Sequence, residues 1–298
     1  MASLKQIWQV CLYNFRGWKN NPRIIITFGL AFVLCFLLTD KAVRFSYEYE
    51  TILQAVEPFI WSFGDATSIM IASLLLILLF ADMPFLGAGV PFYLMRTTRL
   101  KWMIGQVLYI SLATLIYMLF MLLSSIIICA KQAFPGNMWS ETGAILGYSG
   151  AGKALNLPST VKAMEMSTPY QAMATIFLLM LLYTLLLVML IFFMNLKKGK
   201  FWGIASVFAF SVYGFLLNPL IFKQVLKLED EQMYIANVIT GWLSPLNHAT
   251  FYMHNFGYDL LPRLWQTYAF FGAGFILLFF LSYRAIRSYN FNFTGGLH

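Results

Sequence analysis

The 29-residue stretch WMIGQVLYISLATLIYMLFMLLSSIIICA, Trp102–Ala130, contains no Asp, Glu, Lys or Arg. An α-helix rises about 1.5 Å per residue, and a hydrocarbon core of about 30 Å takes roughly 20 helical residues to cross. This stretch therefore predicts a transmembrane helix that either tilts or projects beyond the bilayer.

Five shorter apolar runs lie on either side of this stretch: Ile24–Leu38, Ala66–Ala81, Gln171–Met194, Gly203–Phe222 and Gln266–Tyr283. The chain is 60% hydrophobic and 11% charged with a mean hydropathy of +0.72, whereas about a quarter of the residues in a soluble globular protein are charged. No polar tract is long enough for a separate soluble domain. The sequence predicts an all-α integral membrane protein with six transmembrane helices in one domain, residues 1–298.

The N-terminal segment, residues 1–22, has the pattern of an amphipathic helix. Apolar residues recur at helical spacing, whereas Lys5, Gln6, Gln9 and Arg16 fall on the other side; the apolar set is Leu4, Ile7, Trp8, Cys11, Leu12, Phe15 and Trp18. Paired tryptophans favour the headgroup layer, so we expect a helix that lies in the membrane interface. The alternative is a cytosolic tail that is amphipathic by chance.

The basic residues indicate how the chain is oriented. With six spans both termini lie on one side, and that side holds twelve bases with Asp82 as its only acid; the bases are Lys5, Arg16, Lys19, Arg23, Arg96, Arg99, Lys101, Lys197, Lys198, Lys200, Arg284 and Arg287. Bases concentrate in cytoplasmic loops. We therefore expect both termini in the cytoplasm and localisation to the cell membrane, of a bacterial cytoplasmic type. The net charge of +8 follows this pattern and does not form a nucleic-acid-binding patch.

Three connecting segments follow from this orientation. Residues 82–101 form a cytoplasmic loop, and residues 131–170 and 223–265 lie outside. Residues 40–65 read as an outer loop with a short helix. The stretch Tyr234–Phe256 is too apolar for a solvated loop, which suggests a re-entrant hairpin whose backbone is satisfied by protein or by a water-filled cavity.

The six spans contain no Asp, Glu, Lys, Arg or His. Proton- and ion-coupled carriers usually need ionisable groups at membrane depth. If this chain moves a solute uphill, the energy is expected to enter through its cytoplasmic loops. The alternative is a structural or anchoring subunit that transports nothing.

Several polar motifs do not match the pattern of a known catalytic or binding site. Gly147–Lys153, GYSGAGK, has the spacing of a phosphate-binding loop, but Ala154 stands where a Mg²⁺-ligating Ser or Thr is needed. His248 and His254, with Asp259 nearby, match no standard metal spacing and are expected to be solvated or interfacial.

Ser124 and Ser125 have no activating base at their depth and are expected to bond to their own helix or pack on a neighbouring one. A set of Met and Tyr residues either lines a path for a hydrophobic cargo or packs against lipid and other helices: Tyr117, Met118, Met121, Tyr183 and Met189.

The chain resembles the six-span permease subunits of ABC transporters of the type-2, export-associated class. The resemblance lies in the helix Leu4–Trp18, in PFYLMRTTRLKWMIGQ (Pro91–Gln106) between spans two and three, and in LSPLNH (Leu243–His248) before span six. In that family the loop between spans two and three is a coupling helix that docks on a separate ATPase subunit. The segment between spans five and six closes an outer gate.

The resemblance implies an exporter of a hydrophobic or amphiphilic cargo such as a peptide, drug or lipid-like molecule. It implies a second permease subunit, identical or different, and ATP and Mg²⁺ on the partner ATPase, with no catalytic, metal or cofactor site in this chain. Coupling is assigned to residues 91–102, with Phe92, Leu94, Met95, Arg96, Arg99, Lys101 and Trp102 as contacts. The outer gate is assigned to Asn218, Pro219, Trp242 and Pro245.

Two other functional classes stay open. A membrane-embedded enzyme needs a polar constellation at membrane depth, for which Ser124, Ser125 and Asn218 are the residues to test. A non-transporting sensor or immunity protein would use the outer segments 131–170 and 223–265.

Overall fold

The structure is a computed structural model that describes residues 2–85, 97–155, 157, 161–257 and 259–289. The described chain is mainly helical, as the sequence predicts. Two short strands, β1 (Leu53–Gln54) and β2 (Ala133–Phe134), form a parallel pair.

Fourteen α-helices occur in the described ranges, and four short 3-10 helices connect some of them. The α-helices are α1 (Ala2–Arg16), α2 (Pro22–Glu48), α3 (Glu57–Phe63), α4 (Ala66–Phe80), α5 (Arg99–Cys129), α6 (Glu141–Tyr148), α7 (Ala151–Ala154), α8 (Val161–Met166), α9 (Pro169–Lys198), α10 (Lys200–Leu216), α11 (Pro219–Leu226), α12 (Met233–Leu243), α13 (Pro245–Ala249) and α14 (Leu264–Ser288). The 3-10 helices are Gly17–Asn20, Ala130–Gln132, Asp230–Gln232 and Phe251–Met253.

Four of these helices, α2, α5, α9 and α14, are each long and apolar enough to cross a membrane. Two further candidates are bent pairs: α3 and α4 meet at 88°, and α10 and α11 meet at 68°. The described residues thus contain four candidate spans, or six if each bent pair counts as one. The predicted apolar runs all coincide with these elements.

The first long helix extends further than hydropathy indicated. It continues past Leu38 to Glu48, so the prediction of an outer loop beginning at Asp40 was wrong. Charged residues in this extension are compatible with a helix, because Arg44 pairs with Asp40 one turn earlier at 2.8 Å. The chain leaves the helix near Glu50, whose φ of 53° is left-handed.

Helix α9 lies at the centre of the bundle. It packs against α4, α5, α10 and α14. In an apolar stretch of 18 residues within α9, 61% of the residues are buried, compared with 22% in α2 and 17% in α14. The residues suggested as a cargo path are buried between helices in this conformation, each at most 1% exposed: Tyr117, Met118, Met121, Tyr183 and Met189. Helices α2 and α14 instead present broad apolar faces outward.

Contacts between helix ends show how the chain alternates in direction. Asp82, just after α4, forms ion pairs with Arg23 at the start of α2 and, at 3.1 Å, with Lys200 at the start of α10. Arg99 at the start of α5 bonds to the end of α14. We call this side of the bundle the basic end. A single residue, Gly199 with a φ of 98°, turns α9 into α10 here, at the tight basic turn that the sequence predicts.

The opposite end is covered by a layer that includes the extension of α2, the β1–β2 pair, α3 and α6. Glu57, the first residue of α3, is completely buried there. Its carboxylate accepts hydrogen bonds from the backbone N–H of Ser140 at 2.7 Å and from the Ser140 hydroxyl, at the start of α6. A backbone N–H at a helix start is a favourable partner for a carboxylate, so Glu57 ties α3 to α6.

Candidate coupling surface and outer gate

The predicted coupling residues are only partly within the described chain. Phe92, Leu94, Met95 and Arg96 lie outside the described residues, whereas Arg99, Lys101 and Trp102 form the first turn of α5. Thr98 caps this turn through its side chain, which accepts from the backbone N–H of Lys101 at 3.4 Å. The local sequence thus fixes where the coupling loop, residues 82–101, becomes helix.

Arg99 has partners within its own chain. Its guanidinium donates to the backbone carbonyl of Ile286 at 3.0 Å and to that of Arg287. The last carbonyls of a helix lack partners within the helix and carry partial negative charge, so a cation is favourable here. Sequence reasoning expected Arg99 to meet acidic groups on a partner, and it missed this link between the coupling loop and α14.

Lys101 and Trp102 also face the chain itself. The Lys101 ammonium donates to the side-chain carbonyl of Gln6 at 2.9 Å. Trp102 is 0% exposed, so in this conformation its ring packs in the core and offers no anchor to a partner. The assignment of Trp102 as a contact residue stays a prediction, and it would need a conformation in which this ring is exposed.

Helix α1 packs along the first turns of α5. Gly105 permits a close approach, since a Cβ there would stand 2.7 Å from the Cβ of Val10. The Asn14 amide donates to Gln106 at 2.7 Å, and the Trp18 indole donates to the Tyr109 hydroxyl at 2.9 Å. This packing covers the start of α5, which is consistent with a long helix projecting from the hydrocarbon core.

Asp82 and Asn195 hold the start of the coupling loop. Besides the two ion pairs of Asp82, the Asn195 amide donates to the backbone carbonyls of Ala81 at 3.0 Å and Met83 at 2.6 Å. Exposed ion pairs contribute little stability, but the buried amide bonds fix the backbone as it leaves α4. The start of the loop is thus tied to α2, α9 and α10, and its end to α1 and α14.

Two of the predicted gate residues form the break between α10 and α11. The Asn218 side chain accepts from the backbone N–H of Leu220 at 3.0 Å, and Pro219 is the first residue of α11. Proline suits a first helical turn because it has no N–H to satisfy. The sequence predicted that these residues loosen the outer end of span five, and the 68° bend lies at this point.

The other two gate residues lie at the turn between α12 and α13. Pro245 is buried, while Trp242 is 42% exposed and its indole donates to the Leu260 carbonyl at 3.0 Å. Helix α13 packs against α4, α9 and α10, and a Cβ on Gly214 of α10 would stand 3.1 Å from that of Leu246. The segment α12–α13 therefore folds back onto the bundle. Helix α11, which begins at Pro219, packs against α12, which carries Trp242.

His248 and His254 are buried, at 2% and 0% exposed, so they are not solvated as the sequence analysis allowed. Both rings contact the hydroxyl of Thr267 in α14, with His248 Nδ1 and His254 Nε2 each 2.9 Å away. The His248 ring also stacks on the Phe270 ring, with the two ring centroids 4.6 Å apart. No sequence spacing signals this cluster, because the residue that joins the histidines is on another helix.

The hydrogen bonds of this cluster constrain its protons. His248 Nε2 lies 3.0 Å from the Trp242 carbonyl and His254 Nδ1 lies 3.0 Å from the Thr250 carbonyl, and a carbonyl can only accept. In the neutral rings the two nitrogens that face Thr267 are therefore acceptors, and its hydroxyl has one proton to donate. Burial lowers the pKa of both histidines, that of His254 to about 4, so the rings are neutral at pH 7.

The remaining polar motifs fold as ordinary structure. The segment GYSGAGK begins in the last two residues of helix α6 and ends in α7, and Gly150 between the two helices has a φ of 75°. The segment thus lacks the strand–loop–helix order of a phosphate-binding loop. The Ser125 hydroxyl donates to the Met121 carbonyl at 3.0 Å, as predicted for a serine that bonds to its own helix.

Comparisons with protein-family models, curated proteins and solved structures found no match for this chain. The contacts at the two ends of the bundle are therefore the structural basis for assigning a function. At the basic end of the bundle, the first and last residues of the loop between α4 and α5 each contact other helices. This end is therefore the better candidate for a functional surface.

Proposed function

We propose that this chain is the membrane-spanning permease subunit of an ATP-driven ABC transporter. It exports a hydrophobic or amphiphilic cargo and is coupled through residues 91–102 to a separate ATPase chain. The basic end lies in the cytoplasm, α1 lies in the interface, and α2, α4, α5, α9, α10 and α14 cross the membrane. ATP and Mg²⁺ bind to the partner.

One observation carries this proposal. The segment between α4 and α5 has Asp82 at its start and Arg99 where α5 begins, and these two residues contact α2, α10 and α14. A displacement of the loop is thus passed to helix ends far apart in sequence. Packed interfaces transmit displacement because they are stiff and close-packed. A partner that moves this loop moves the bundle.

A second permease subunit has a suitable surface. Helices α2 and α14 expose large apolar side chains, such as Ile25 at 79% and Ile276 at 57%. In a membrane these faces meet lipid or a second copy. Two such subunits around a central path complete the proposed transporter.

The experiment is co-reconstitution with candidate ATPases, followed by measurement of co-purification and ATP-driven transport. The test variant reverses Arg96 and Arg99 to Glu. The control reverses Lys131 and Lys227 to Glu, which changes the charge equally at the opposite end. We expect the first variant to lose assembly or transport and the control to keep both. Intact assembly and transport in the first variant would refute the coupling assignment.

One observation favours a different energy source. His248 and His254 are both buried, and they lie where α13 packs on the bundle. Buried ionisable groups in transporters often take part in proton coupling. In that case a proton gradient, without nucleotide, would drive transport by the chain alone. Replacing Thr267 by Val would then abolish transport, whereas under the main proposal it weakens only the fold.

A membrane-embedded enzyme and a non-transporting sensor remain alternatives. The hydroxyl of Ser125 is bonded to its own helix and Asn218 caps α11, so each has a local structural role. Single substitutions at Ser124, Ser125 and Asn218 test for an enzyme. For a sensor, an outer ligand would bind residues 131–170 or 223–265 without ATP-dependent transport.

A further inference from the structure

A cavity of about 340 Å³ lies at the basic end, where the chain turns from α1 into α2. Its lining includes Tyr13, Asn14, Arg16, Trp18, Ile24 and Tyr109. The volume is at the small end of the range for ligand pockets, enough for a lipid headgroup but not for a whole phospholipid. We propose that this cavity binds the headgroup of an anionic phospholipid from the cytoplasmic leaflet. The proposal depends on the orientation given above and not on transport activity.

Charge is the first argument for an anion. Arg16 lines the cavity, and within the described chain its guanidinium has no hydrogen-bond or ion-pair partner. Among the described residues the cavity lining contains no acid, and Asp82 at the same end of the bundle is already paired with Arg23 and Lys200. The cavity therefore carries an uncompensated positive charge. A guanidinium binds phosphate through charge-assisted hydrogen bonds.

Buried polar groups are the second argument. Tyr109 is 1% exposed, and its hydroxyl oxygen accepts the Trp18 indole N–H, which leaves its own O–H without an acceptor among the described residues. Asn14 is 4% exposed, and its Oδ1 has no hydrogen-bond partner in the described chain. Buried polar groups without partners cost free energy. A phosphate accepts from Tyr109, and a headgroup hydroxyl donates to Asn14.

The surroundings fit a lipid better than a soluble anion. Ile24 lines the cavity, and the adjacent Ile25 and Ile26 on α2 are 79% and 53% exposed. On α1, Leu4 and Trp8 are 73% and 48% exposed. Acyl chains that emerge from the cavity can lie along these apolar faces, whereas inorganic phosphate gains nothing from them. Basic pockets beside cytoplasmic helix ends are a common place for acidic headgroups.

The test is native mass spectrometry of the full-length protein extracted from vesicles of equal phosphatidylglycerol and phosphatidylcholine. We expect retention of phosphatidylglycerol over phosphatidylcholine and about a tenfold loss in Arg16→Gln, the size of one charge-assisted hydrogen bond. Lys5→Gln on the exposed side of α1 is the charge-matched control and should retain the lipid. Tyr109→Phe keeps the ring but removes the hydroxyl, and it should weaken retention even if Arg16→Gln fails to fold.

Four results would overturn the proposal. These are equal retention of both lipids, equal loss in Arg16→Gln and Lys5→Gln, unchanged retention in Tyr109→Phe, and displacement of the lipid by millimolar inorganic phosphate. The last result would assign the cavity to a free anion. If the wild-type protein retained phosphatidylglycerol but showed no ATP-driven transport, the proposed function would be refuted and the lipid site would not. The two proposals can therefore fail separately.

Discussion

Arg99 donates a hydrogen bond to the backbone carbonyl of Ile286, 187 positions further along the chain, at 3.0 Å. This bond joins the end of the coupling loop to the last long helix. Residues 82–101 are thus anchored to α14 near one end and, through Asp82, to α2 and α10 at the other.

Replacing Arg99 with Gln removes the positive charge from the end of α14. We expect a loss of about 1 kcal/mol of stability, the usual size of a charge–dipole contact at a helix end, and a much larger fractional loss of ATP-driven transport. Thermal unfolding in detergent and transport in vesicles measure the two effects. Lys131→Gln at the opposite end is the control. Equal fractional losses in stability and transport would contradict a coupling role.

Gly203 near the start of α10 has no room for a side chain. A Cβ there would stand 1.9 Å from Oδ1 of Asn195, the residue that holds the backbone of Ala81 and Met83. We expect Gly203→Ala to cost about 1–3 kcal/mol of stability through overpacking. Gly272→Ala in α14 is the control, since nothing lies within 4 Å of its added Cβ. Thermal unfolding of both variants measures the difference, and equal stability would contradict this packing.

Thr267 supplies the only hydroxyl that the described structure shows between the rings of His248 and His254. Thr267→Val keeps the shape and removes the hydroxyl, so the ring nitrogen that accepts its single proton also loses its donor. We expect a loss of about 1–3 kcal/mol of stability in thermal unfolding. Thr267→Ser keeps the hydroxyl and should retain most of the stability. If Ser and Val are equally destabilising, the hydroxyl has no structural role.

Glu57 makes the stability of the layer at the opposite end depend on pH. Burial raises the pKa of this carboxyl to about 7, although three hydrogen bonds from Ser140 and Gln54 oppose the rise. A raised folded-state pKa means that the folded state binds the proton more tightly than the unfolded state. The contribution of Glu57 to the free energy of unfolding is therefore complete below about pH 4.5 and is lost as the pH rises through 7.

We expect stability to fall by up to about 3 kcal/mol between pH 5 and pH 8, measured by thermal unfolding. Glu57→Gln removes the titrating group and should flatten this part of the profile. Glu141→Gln, an exposed carboxyl in the same layer, should leave the profile unchanged. A profile that rises with pH in the wild-type protein would contradict the raised pKa.

The apolar runs were the part of the fold that the sequence predicted best. The run from Trp102 to Ala130 lies in α5 except for its last residue, and the helix starts three residues earlier, at Arg99 after the Thr98 cap. The sequence could not predict that α2 continues to Glu48. Average hydropathy falls after Leu38, whereas the extension buries Ala42 and Phe45 in a cluster with Leu146 that forms only in the folded chain.

The site was less predictable because its contacts are between distant segments. The break at Asn218 and Pro219 was visible in the sequence, since both residues favour a helix start. The partners of Arg99, the burial of Trp102 and the His248–Thr267–His254 cluster were not visible. Each depends on which helices pack together, and hydrophobic periodicity does not specify that.

The most direct test of the account compares energy sources for transport. The purified chain is reconstituted into vesicles alone and together with a candidate ATPase, and uptake of a lipophilic cargo is measured with ATP or with an imposed proton gradient. We expect uphill movement only when the ATPase and ATP are both present, and its loss when Arg96 and Arg99 are reversed to Glu. Uphill movement by the isolated chain, driven by the proton gradient without nucleotide, would contradict the account.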